Sequence, residues 1–258
     1  MKNGIYSPIH GVIIGDETST GPEPTSLPGV LFDGTNDHLQ NDSSFSITSS
    51  LLLARLSFRV AGGDGTTRMI VSALSNTILI GLNIDNKIQV NVSNDPDTGP
   101  YLTAESASTY TTGAAWYNLL IALNTGAAAG SKAIQLYVND QDDLGVVVDD
   151  DPAFLIGDPI RLNIGSYDFD VGLWNGGLSG LWLGLGQYLD LSVTDNRRQF
   201  IDANGKPYVN LGSTGQGPTG TSPTLYLNNT YTSFFQNKGT SGDLRLFGAL
   251  TADTSPTD

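Results

Sequence analysis

The feature that most constrains this chain is a two-residue periodicity. In Lys87-Ile88-Gln89-Val90-Asn91-Val92 an apolar side chain falls at every second position. In an extended strand this puts Ile88, Val90 and Val92 on one face and Gln89 and Asn91 on the other. Asn76 to Ile84 repeats the scheme with Ile78, Ile80, Leu82 and Ile84, and Asp85-Asn86 between the two runs predicts a hairpin turn. Trp116 to Leu123 is apolar on both faces, as a central strand covered on both sides would be, and Ile134, Leu136 and Val138 mark a neighbouring strand. Further strands are expected around 51–60, 67–73, 160–165, 178–185 and 224–228, with a short one within Leu244 to Leu250.

No segment predicts a helix longer than three turns. One short helix is expected over Asp195 to Ala203, with Thr194 capping it, Phe200 and Ile201 packing inward and Gly205 ending it. The 31 Gly and 12 Pro, spread along 258 residues, add the turns that many short strands require. The sum is an all-β chain of sandwich or barrel type.

Residues 16 to 29 hold three Pro and almost nothing apolar, which divides the chain into an N-terminal arm and Pro-rich loop (1–29), a main body (30–193) and a C-terminal appendage (194–258) packed on it. Val12-Ile13-Ile14 is too short for a signal-peptide core or a membrane span. Without Cys there are no disulfides, which fits synthesis in a cytoplasm. A net charge of -14, from 12 Lys+Arg against 26 Asp+Glu, repels phosphate backbones, so nucleic acid is not an expected partner.

Short motifs give these strands a likeness. Leu31-Phe32-Asp33-Gly34-Thr35-Asn36-Asp37-His38-Leu39 resembles the opening motif of laminin G/pentraxin-like domains, and Trp116 to Ala122 resembles their Trp-led central strand. Ile134 to Asn139 is similar to the strand that follows, and Ile164-Gly165-Ser166 with Trp174 to Leu178 to the closing section. The resemblance runs over roughly 30 to 190 and implies an antiparallel two-sheet jelly roll of the concanavalin A type. Where such domains often carry an acidic pair, Leu178-Ser179-Gly180-Leu181-Trp182-Leu183 has no acid, so the family's binding residues do not transfer.

Farther on, Asp195 to Asp202, Gly205-Lys206-Pro207, Pro223 to Leu227 and Asn237-Lys238-Gly239 resemble the tail of tailed-bacteriophage virion proteins. That likeness implies a virion structural protein, a capsid decoration or tail-fibre component. It would act beside other virion proteins as a homo-oligomer and aid attachment to host or environmental glycans.

Candidate sites follow from residue chemistry. Tyr167 and Trp174, with Asp168, Asp170 and Asn175, combine aromatic surface with hydroxyl-binding groups, the mixture that seats a sugar ring; buried packing is the alternative for the Trp. Asp140, Asp142 and Asp143, near Asp149 to Asp151, offer oxygen ligands of the type Ca²⁺ takes, or else form a solvated loop. Asp95-Pro96-Asp97-Thr98-Gly99 lacks the remaining ligands of a calcium loop. Asp33-Gly34 and Asn36-Asp37 read as a tight turn. His10 and His38 are too few for a transition-metal site. Arg197 and Arg198 could pair with an acidic neighbour in a particle or with acids of their own chain.

Catalysis is not expected. Glycosidic cleavage takes two carboxyl groups across one sugar bond, whereas the only Glu are Glu17, Glu23 and Glu105, two of them in the Pro-rich loop. A hydrolase or lyase would have to use Asp residues.

Overall fold

The structure is a computed structural model and describes residues 26–41, 49–73, 78–93, 102–128, 130, 133–149, 153, 155–156, 161–167 and 171–257. The N-terminal arm to residue 25, Asp95, Asp97, Asp150, Asp151, Asp168 and Asp170 lie outside these residues.

Two antiparallel sheets account for the strands. Sheet A runs β10 (Gln141–Asp142), β9 (Ala133–Val138), β8 (Tyr117–Asn124), β3 (Leu51–Val60), β13 (Asn175–Leu185), β1 (Gly29–Asp33) and β16 (Thr251–Asp253), with β14 (Leu225–Leu227) beside the C-terminal half of β13. Sheet B runs β11 (Leu144–Asp149), β7 (Leu102–Ser106), β6 (Ile88–Val92), β5 (Ile78–Leu82), β4 (Arg68–Ala73), β12 (Leu162–Ile164), β2 (His38–Gln40) and β15 (Arg245–Phe247). The expected hairpin forms between β5 and β6, with Asn86 at φ 59 in its turn and Asn83 Oδ1 accepting from the Asp85 and Lys87 amides. Ile84, expected to extend the inward set, instead sits in this turn and is 65% exposed.

The inward sets meet in one core. Leu52, Ala54, Leu56 and Phe58 of β3 and Leu119, Ile121 and Leu123 of β8 face Ile78, Ile80 and Leu82 of β5 and Ile88, Val90 and Val92 of β6. Burying each large aliphatic side chain stabilises the fold by roughly 1.5–3 kcal/mol. Leu120 and Ala122, the second apolar set of β8, point to the outer face of sheet A and are covered as well.

The cover is the chain after β13. A β-bulge between Ser179 and Trp182, with Gly180 at φ 55, shifts the side-chain parity of β13 by one residue. Leu181 and Leu183 therefore face the core while Trp182 turns outward. There it meets Phe200 edge-on at 5.2 Å and donates from Nε1 to the Gly215 carbonyl at 2.7 Å. Leu191, Ile201 and Leu211 complete the cluster.

The helix is shorter than the sequence predicts. α1 spans Thr194–Arg197, its N-cap is Val193, and no side chain caps it. Ile201 bridges Pro207 in antiparallel fashion and the Asp202 amide donates to the Lys206 carbonyl, which requires a reversal where a longer helix would have continued. Phe200 and Ile201 are buried as expected. The C-terminal segment also adds strands to both sheets: β14 pairs with β13, β15 with β2 and β16 with β1.

Candidate functional site

Alternation in β6 and β7 turns Gln89, Asn91, Thr103 and Glu105 to the outer face of sheet B. The register aligns one residue from every strand into a row: Arg245, Gln40, Asn163, Ser72, Leu79, Asn91, Thr103 and Val148. At about 4.8 Å between strands the row is about 34 Å long. A shorter parallel row holds Gly81, Gln89 and Glu105.

The long row has two halves. Gln40, Asn163 and Ser72 are buried and tied together: Gln40 Nε2 donates to Asn163 Oδ1 at 3.1 Å, and Ser72 Oγ donates to the Ser166 and Tyr167 carbonyls at 2.8 and 2.7 Å. Leu79, Asn91 and Thr103 are half-buried and Val148 is 45% exposed. This open half, with Gln89 and Glu105 beside it, is the candidate site. Glu105 Oε1 accepts from Asn83 Nδ2 at 3.0 Å and from Gln89 Nε2 at 3.3 Å, so the amides are held in fixed orientation. Asn91 Oδ1 is solvent-inaccessible and accepts no hydrogen bond among the described residues. An unmet acceptor of this kind costs free energy unless something supplies a donor.

The structure separates the residues that the sequence groups as a sugar site. Tyr167 stays near this face, its carbonyl also accepting from Asn163 Nδ2 at 3.2 Å. Trp174 is 0% exposed and packs edge-on to Phe58 at 5.9 Å, so it cannot stack a ligand; its amide donates to the Gly165 carbonyl at 2.8 Å just ahead of β13, and its ring joins the core. Asn175 begins β13 on the other sheet, against Gly34 and Gly62.

The expected calcium ligands diverge. Asn139 and Asp140 both take positive φ, 49 and 66, in the tight turn between β9 and β10. From there the Asp140 carboxylate turns to the cations after β13, accepting from Arg197 Nε at 2.5 Å and Arg198 Nη2 at 2.6 Å. Asp142 Oδ1 accepts from the Leu144 amide, while buried Asp143 accepts from Ser108 Oγ at 2.7 Å and from the Tyr110 hydroxyl. Among the described residues no three His, Cys, Asp or Glu side chains converge on a metal position. Burial, together with the Asp143 carboxylate, holds the Tyr110 hydroxyl well above its ordinary pKa, as a donor.

Arg197 and Arg198 pair with an acid of their own chain. Arg197 also donates to the Leu191 carbonyl at 2.6 Å and lies 4.6 Å over the Tyr137 ring, so both cations clamp the C-terminal segment onto the β9–β10 hairpin. The hydrogen bond from Arg198, ahead of Arg197, holds the Asp140 carboxyl below the usual carboxylate range. At Asp33 to Asp37 the turn reading holds: Asp33 Oδ1 accepts from the Thr35 amide, and Asp37 accepts from the Asp33 and Ala249 amides. His38 stacks on Phe247 at 4.4 Å.

Sequence reasoning placed Gln89 and Asn91 on an outward face yet did not single them out. Their partners Thr103 and Glu105 come from a strand whose register is fixed only in three dimensions.

No protein-family model matches this chain, and no curated protein matches it. Solved structures do. A Bacteroides ovatus protein described as carbohydrate-binding aligns with 90% of this chain at TM-score 0.56 and 12% identity, the chain spanning 61% of its length. The fold is a two-sheet jelly-roll sandwich, as the laminin G-like motifs imply. Laminin α1 domains LG4–5 of mouse align at TM-score 0.44 and 19% identity over 65% of this chain and 43% of theirs. A heptameric pentraxin of Limulus polyphemus aligns at 0.48 and 14% over 64% and 79%.

Proposed function

We propose that this chain is a glycan-binding module that lays a neutral oligosaccharide along the open half of the sheet B face. The observation that carries the reading is the cluster of half-buried polar side chains, Gln89, Asn91, Thr103 and Glu105, that β6 and β7 pair on the open half. Sugar hydroxyls both donate and accept, and can meet the half-buried polar side chains of Gln89, Asn91 and Thr103 together. The open half, four strands wide, spans about 14 Å, room for about three pyranose rings. The fold likeness to a carbohydrate-binding protein supports the same class.

The reading is of binding without turnover. Glu105 is flanked on this face by Gln89 and Asn83, amides rather than the second carboxylate that hydrolysis requires. The setting we propose is the surface of a phage particle as a decoration or fibre component, supported by the resemblance of residues 195–239 to virion proteins; mass spectrometry of purified particles tests that setting.

A glycan array, run with and without Ca²⁺, tests the binding. Wild type is expected to retain a set of neutral linear glycans that Gln89→Ala/Asn91→Ala loses while keeping its melting temperature. A blank array, or a set that survives the double substitution, contradicts the reading.

A further inference from the structure

Of three Trp, Trp174 and Trp182 are fully buried, whereas Trp116 remains partly exposed. It lies on the outer face of sheet A, among residues separate from the apolar cluster under the C-terminal segment. Two strand glycines make its bed. A Cβ at Gly177 would come within 2.6 Å of the indole Cη2, and one at Gly29 within 3.0 Å of Cζ2. Glycine inside a strand marks such a close approach. The indole Nε1 donates to Thr254 Oγ1 at 2.9 Å, which fixes the ring's rotation. The Nε1–Cζ2–Cη2 edge of the ring is thereby held against β1, β13 and Thr254, and the indole stays partly exposed.

Polar groups stand alongside. Arg59, opposite Gly177 in the register, forks onto Asp253, with Nη2 at 2.8 and 2.7 Å from the two carboxylate oxygens and Nε at 3.1 Å from one of them. Asn175 follows on the same side of β13, with Asp33 opposite it. A pyranose has an apolar C–H face that packs on an aromatic ring and a rim of hydroxyls that seek fixed donors and acceptors. Because Arg59 is matched by Asp253, the patch offers no net positive charge to select an anion.

We infer that Trp116, with the Arg59–Asp253 pair and Asn175, forms a second sugar site for one neutral hexopyranose ring. It opens on the side of the sandwich away from the sheet B face and stands independently of that reading. A module with both sites would bridge two glycans.

Acrylamide quenching reads Trp116 selectively, since the other two indoles are buried. The probes are methyl glycosides of glucose, galactose and mannose. At least one is expected to shield the emission of wild type and of Gln89→Ala/Asn91→Ala equally. Its calorimetric affinity should fall about tenfold in Trp116→Ala and by less in Trp116→Phe, which keeps a ring against the glycines. No shielding by any of the sugars overturns the inference. So does shielding that vanishes in the double variant, or an affinity that neither Trp116 variant changes. An array signal that survives Gln89→Ala/Asn91→Ala would sink the sheet B reading and leave this one standing.

Discussion

The two outer faces of the sandwich can be compared row for row. Across sheet A the register aligns Tyr137, Leu120, Arg55, Trp182 and Tyr226; across sheet B it aligns Ser72, Leu79, Asn91, Thr103 and Val148. Both sheets send the same kind of apolar set inward. What differs is the outward set. Large apolar groups on sheet A recruit Leu191, Phe200, Ile201 and Leu211 as a third layer, while sheet B stays open over β5, β6, β7 and β11, where Asn91 and Thr103 face outward. The inward residues of a strand thus set the fold, and the outward ones decide whether a face becomes interior or a contact surface.

Arg55 shows the cost of a polar group on the covered side. It is fully buried, donates to the Gly180 carbonyl at 2.5 Å and the Tyr208 carbonyl at 3.4 Å, and desolvation lowers its pKa to about 10.

Substitutions of graded size can break or sharpen the contrast. Trp182→Ala should cost about 3–5 kcal/mol in chemical denaturation, because it empties the centre of the third layer. A loss near zero would mean that the C-terminal segment does not pack there. Asp140→Ala should cost about 2 kcal/mol, because it removes the charge-assisted hydrogen bonds from Arg197 and Arg198.

That clamp also has a pH signature. The Asp140 carboxyl is held below its unfolded value of 3.8, so its contribution is complete above that pH and disappears as pH falls through the lower folded value. The stability gap between wild type and Asp140→Asn should therefore close in acid below about pH 4, and a gap that persists there would refute the assignment. The smallest effect has the opposite sign. Asn91→Val should raise stability by about 1 kcal/mol, since it removes an unmet acceptor from a strand position, while it weakens glycan binding. A destabilised variant would show that Asn91 is satisfied in the free protein.

Much of this contrast is legible in the sequence. The alternation of Ile88, Val90 and Val92 locates a half-exposed strand, and the doubly apolar run to Leu123 announces a covered one. Long-range pairing is not legible. Nothing local tells Asp140 that Arg197 and Arg198 lie beside it, so a charged run reads as a metal loop. The sequence suggests cover for Trp116, at the head of a doubly apolar run, and exposure for Trp174, among polar neighbours; the sheet geometry buries Trp174 and leaves Trp116 partly exposed beside Gly29 and Gly177. The helix misreads for a related reason: Thr194 and Gly205 are sound local signals, but the Ile201–Pro207 bridge overrides them.

Thiol labelling of single-cysteine variants tests the central contrast most directly, because the chain has no Cys of its own. Thr103→Cys, on the sheet B face, is predicted to react rapidly in the native state. Ala122→Cys, under the C-terminal segment, should react only as fast as the fold opens. Equal rates, or faster labelling at position 122, would contradict the account.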